Sequence, residues 1–95
     1  MHKELILDTL KISENIFNVS TGNNIFEIFC DSDPINKIIK YSLSEKFESD
    51  GIMNGNVLLI NKEFVIISNG GLLIKINGKY EFKENDNVTF YYSIE

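Results

Sequence analysis

Arginine and tryptophan are absent from the 95 residues, and cysteine, proline and histidine occur once each, as Cys30, Pro34 and His2. Each absence removes a class of function. Without guanidinium groups, and with nine Lys against fourteen carboxylates for a net charge of -5, the chain lacks the side chain best suited to bidentate phosphate and guanine contacts. Nucleic acid is therefore not an expected partner. One thiol can form neither an intrachain disulfide nor a multi-thiolate zinc site, and His2 stands beside the N-terminus, so no metal, cofactor or Cys-His and Ser-His catalysis is expected. No acid/base pair or phosphate loop can be named either, and the chain is not expected to be an enzyme. No apolar run reaches the roughly 18 residues of a bilayer span, and Met1-His2-Lys3-Glu4 does not open a secretory leader, so membrane association is not expected and a soluble cytoplasmic protein is.

What is present is bulk. Hydrophobic residues make up 43% of the chain, including seven Phe and four Tyr, enough for one packed core. A chain of this length buries roughly two thirds of its unfolded surface, so a single domain over 1–95 is expected. Lys3 to Ile12 and Ile16 to Cys30 read as strands. The turn between them falls at Ser20-Thr21-Gly22-Asn23-Asn24 or at Ser13-Glu14-Asn15, where Gly and Asn tolerate positive φ. Asp33-Pro34 reads as a helix start, Asp capping free N–H groups and Pro fitting the first turn. Ile35, Ile38, Ile39, Leu43 and Phe47 follow at helical spacing, and Ser49-Asp50-Gly51 reads as the helix end. Strand patterns then run over Val57–Ile60, Phe64–Ile67, Leu72–Ile76, Lys79–Phe82 and Val88–Ile94. Turns are expected at Asn61-Lys62-Glu63 and Asn77-Gly78, and a sheet corner at Asn69-Gly70-Gly71.

Strands, one helix and a strand-rich half make an α+β domain, a mixed sheet with one main helix packed across it. The ubiquitin-like β-grasp has that element order. In the second half, Val57-Leu58-Leu59-Ile60-Asn61, Phe64-Val65-Ile66-Ile67, Gly70-Gly71-Leu72 and the acidic turn Glu84-Asn85-Asp86 before Val88-Thr89-Phe90 resemble the sulfur-carrier group of ubiquitin-like proteins. That group includes the small subunit of molybdopterin synthase, the thiamine sulfur carrier and the ubiquitin-related modifier. The resemblance covers residues 56–95. It departs from the pattern at Asn85, where Gly is usual, in extra residues around Leu73 to Gly78, and at the tail, which reads Ser93-Ile94-Glu95 in place of Gly-Gly. It implies parallel first and last strands side by side at the sheet centre. It also implies docking through the terminal strand, onto an activating enzyme or a sulfur-accepting synthase subunit.

Alternation along the last strand puts Val88, Phe90 and Tyr92 on one face and Thr89, Tyr91 and Ser93 on the other. Tyr91, on the more polar face, reads as a candidate contact beside the tail, and the resemblance implies a partner-binding site at the tail, Ser93, Ile94 and Glu95, flanked by Tyr91 and Thr89. Glu84, Asp86 and Glu95 read either as a solvated rim or as a guide toward a basic groove. Cys30, after Phe29 on an apolar run, reads as a buried hydrophobe and not as a reactive thiol. Without carrier chemistry, the same chain reads as a non-conjugating protein-binding module or a small phage or host-defence regulator.

Overall fold

The computed structural model describes residues 1–95 and contains nine strands and no helix. They are β1 (His2–Leu5), β2 (Asp8–Ser13), β3 (Ile16–Ser20), β4 (Ile25–Phe29), β5 (Ile38–Leu43), β6 (Gly51–Ile60), β7 (Phe64–Asn69), β8 (Leu72–Asn77) and β9 (Asn87–Ile94). All pairings are antiparallel, in one sheet of order β1-β5-β9-β6-β7-β8-β4-β3-β2. Side chains alternate between a buried face and an outer one: Phe17 and Val19, Phe26 and Ile28, Val65 and Ile67, Ile74 and Ile76 all point inward. The sheet curls onto that face. Phe26 on β4 stacks on Phe90 of β9 at 5.5 Å between ring centroids, although three strands separate them in sheet order. Tyr41 and Tyr92 complete the aromatic interior around Phe90.

The two sheet edges belong to one run of chain. The Ile6 amide donates to the Lys37 carbonyl beside β5, whereas the next amide, Leu7, donates to Ser20 on β3. β1 and β2 are thus a single bent strand that bridges the edges of an all-β half-barrel, and Ile6, at the bend, is fully buried.

The α+β, β-grasp expectation is overturned by this architecture, and with it the fold on which the sulfur-carrier resemblance rested. Where a helix was expected, Asp33 Oδ1 accepts the Ile35 amide at 3.0 Å and Pro34 accepts Lys37 at 3.1 Å. The chain makes one turn there, with Asn36 inside it in the left-handed region (φ 64). β5 follows, with Ile39 and Tyr41 buried and Ile38 exposed. Five apolar residues fitted a helical stripe, but the β-branched pair Ile38-Ile39 and Tyr41 also satisfy a period of two, and pairing with β9 and β1 decides for the strand. The first and last strands run in the same direction but are not adjacent: β5 lies between them, antiparallel to both, and β1 stands at the sheet edge rather than at its centre.

Both candidate turns in the first half are real, one joining β2 to β3 and the other joining β3 to β4. The expected corner at Gly70-Gly71 is a two-residue hairpin between the paired Asn69 and Leu72. Both glycines have positive φ (60 and 99), the geometry that matches strand twist. No hairpin forms at Asn77-Gly78. Gly78 donates to Glu63 as a last rung of the β7–β8 ladder, and Lys79–Phe82 leaves the sheet, with the Tyr80 and Phe82 rings stacked at 5.8 Å against the core.

Candidate functional site

Two ends of the half-barrel are tied across by polar groups, and only one of them is open. At the closed end, Asn24 donates to the Glu4 carboxylate at 2.7 and 2.9 Å and to the Tyr41 hydroxyl at 3.0 Å, while its Oδ1 accepts the Asn77 amide at 2.7 Å. Thr21 adds a second donor to Glu4 at 2.8 Å. Burial, the Glu4 carboxylate and Tyr80 push the Tyr41 hydroxyl far above the usual tyrosine range. Burial and Glu4 raise Tyr80 as well. These groups serve one another and join β1, the β3–β4 turn, β5 and β8.

At the other end the sheet comes apart. β4 and β8 pair only at Ile25 and Phe26, and side chains bridge the gap beyond: Glu27 Oε1 accepts the Leu73 amide at 2.7 Å, and the Tyr92 hydroxyl crosses from β9 to the Phe29 carbonyl at 3.0 Å. Tyr92 is buried, and burial raises its pKa. β6 begins against this ring at Gly51, where a Cβ would overlap the ring atoms. The Gly therefore marks a close approach inside the sheet and not the end of a helix.

A cleft of about 540 Å³ opens here, lined by Phe29, Cys30, Asp31, Ser32, Lys37, Asp50, Gly51, Tyr92 and Ile94. That volume lies within the roughly 300–1,000 Å³ typical of ligand clefts. Its back wall is an unpaired stretch of β9. Glu95 exchanges both backbone bonds with Ile38, and the Thr89 carbonyl accepts Ser44, so odd-numbered residues of β9 bond toward β5. Even-numbered residues bond toward β6, as the bond from Val57 to Asp86 confirms. β6 starts only at Gly51, opposite Tyr92. The Ile94 amide and carbonyl consequently point past the start of β6 toward the cleft, and outside the ladders no bond engages either.

The five residues expected to bind a partner scatter. Ile94 lines the cleft. Thr89 donates to Asn54 Oδ1 at 3.0 Å in a shallow outer groove, where Asn56 likewise bonds Asn87 at 2.7 Å, so the groove's polar groups are already paired. Tyr91 is half-buried beneath the 44–50 loop, edge-on to Phe47. Ser93 is buried and its hydroxyl accepts the Asp50 amide at 2.9 Å. Glu95 is stitched to Ile38 through its backbone, with its carboxylate 3.8 Å from Lys3. Ser93 and Ile94 are the last residues of β9, and Glu95 follows it with both backbone bonds made to Ile38. Cys30 is half-exposed at the cleft rather than buried.

Missed from sequence were Phe29, Asp31, Ser32, Lys37, Asp50 and Gly51. The usable signal was Tyr92 on the inward parity of β9, next to the polar Tyr91 face.

No protein-family model matches the chain, and no curated protein shows significant similarity to it.

Proposed function

We propose that the chain is a non-enzymatic protein-binding domain that takes an extended segment of a partner protein into the cleft beside Tyr92. The observation that carries this reading is the free main-chain donor and acceptor of Ile94 on the cleft wall. Unpaired strand edges are templates for another strand, and main-chain bonds supply affinity in this mode while neighbouring pockets select side chains. Here the edge is short. One residue of an incoming strand can exchange two hydrogen bonds with Ile94, each contributing about 0.5–1.5 kcal/mol net, and the rest of the affinity comes from burial on Phe29, Tyr92 and Ile94.

Selection of random heptapeptides on the immobilised protein tests the reading, followed by amide exchange at Ile94. Bound peptides are expected to slow exchange at the Ile94 amide, and Ser32→Trp, an exposed position on the cleft wall, is expected to abolish binding with the fold intact. Failure to enrich any peptide, or enrichment of peptides that leave Ile94 exchange unchanged and bind Ser32→Trp equally well, overturns it.

A further inference from the structure

Resting on the cleft reading above, we infer that the segment captured is cationic and amphipathic: an apolar residue seated opposite Ile94, flanked in sequence by Lys or Arg. The alternation of a strand fixes where each side chain goes. A residue paired with Ile94 projects its side chain to the same face as Ile94, which is the inward face shared with Phe90 and Tyr92. That side chain meets the edge of the Tyr92 ring, which is buried on the same face. An apolar group is suited to this position because it packs between the Ile94 side chain and the Tyr92 ring, whose hydroxyl is already bonded to the Phe29 carbonyl.

Its two sequence neighbours project to the opposite face. That is the face of Ser93, whose hydroxyl holds the Asp50 backbone. The cleft carries two exposed carboxylates, Asp31 and Asp50, against one cation, Lys37. Lys37 points its Nζ at Ser32 Oγ, 3.4 Å away. On the Ser93 face, Lys40 lies over the Phe47 ring at 5.4 Å, and Lys3, in register with Lys40, is held by the Glu95 carboxylate at 3.8 Å. Both carboxylates are left without a cationic partner, since the one ion pair of the chain joins Lys3 and Glu95. The net charge of -5 adds a long-range field of the same sign. A Lys or Arg beside the apolar residue gains from both carboxylates, whereas an Asp or Glu there is repelled.

The test compares the composition of the selected heptapeptides and then dissects the strongest one. Enrichment of Lys or Arg next to an apolar residue is expected. Replacing each such cation by Gln should weaken binding about threefold at low salt, the scale of one exposed ion pair, and the loss should shrink at roughly 0.5 M salt, where exposed charges are screened. Asp31→Asn with Asp50→Asn should erase the preference for cations while leaving the fold unchanged. Selected peptides that are acidic or indifferent to charge, yet still slow exchange at Ile94, overturn the inference and leave the cleft reading standing. Peptides that ignore Ile94, or no enrichment at all, overturn both.

Discussion

Replacing Gly51 by Ala places a methyl group inside the ring of Tyr92. Gly51 is the first residue of β6 and is paired with Tyr92, so the backbone cannot retreat without breaking that rung, and the buried ring must move. Displacing a packed aromatic costs about 1–3 kcal/mol. A displaced ring also loses the 3.0 Å bond from its hydroxyl to Phe29, about 1 kcal/mol more. The expected destabilisation is about 2–4 kcal/mol, a large share of the roughly 5–15 kcal/mol that holds a domain folded. In a chain of this size it lowers Tm by on the order of 15 °C. Urea unfolding followed by tyrosine fluorescence measures it against two controls. Gly22→Ala, where an added Cβ meets nothing within 4 Å, should change stability by less than about 0.5 kcal/mol. In a Tyr92→Leu background the ring is gone and Gly51→Ala should become nearly neutral, a coupling of about 2 kcal/mol. A cost below 0.5 kcal/mol for Gly51→Ala alone, or the same cost in both backgrounds, would show that Gly51 and Tyr92 do not meet as described.

Three further outcomes are expected. Tyr41, Tyr80 and Tyr92 all have raised folded pKa values, so the unfolded chain releases these protons first as pH rises through about 10. The stability they contribute is complete below that pH and falls above it, by about 1.4 kcal/mol per pH unit for each tyrosine still protonated in the fold; urea melts at pH 8, 10 and 11 check this, and unchanged midpoints refute it. Asn24→Ala removes donors to Glu4 and Tyr41 and the acceptor for Asn77, and should cost about 2–4 kcal/mol, whereas Asn23→Ala, at an exposed turn position, should cost less than 0.5. In the free protein the Ile94 amide should exchange much faster than the Glu95 amide, which donates to Ile38 at 2.8 Å; equal protection would remove the open edge.

The legible part of the fold was the part governed by neighbours in sequence. Gly70-Gly71, Asn61-Lys62-Glu63 and the Gly22 region announce turns through backbone freedom and short side-chain bonds, as when Asn61 Oδ1 accepts both the Glu63 and Phe64 amides. The inward parity of Val88, Phe90 and Tyr92 was readable because β9 is paired on both sides and half-buried throughout. The stretch from Asp33 to Phe47 was not, because Asp33 and Pro34 use the same chemistry to start a single turn as to start a helix. What separates the two is pairing of β5 with strands about fifty residues later and about thirty-five earlier. The cleft was hidden for a related reason: it is made where β6 fails to reach Ile94, and a missing partner leaves no mark on the residue that lacks one.

β9 lies between β5 and β6, yet it is synthesised after the other eight strands. Until it emerges, β1 and β5 form one ribbon and β6, β7, β8, β4, β3 and β2 another, connected through the Ile6-Leu7 bend and the loop chain but sharing no ladder. Phe90 and Tyr92, around which Phe26, Tyr41 and Gly51 are arranged, arrive on that same strand. Without β9 the two ribbons leave the facing edges of β5 and β6 unpaired, and the sheet becomes continuous only when that strand is added. A peptide of residues 87–95, supplied to a fragment ending at Asp86, is therefore expected to bind by pairing with β5 along one side and with β6 as far as Tyr92 along the other.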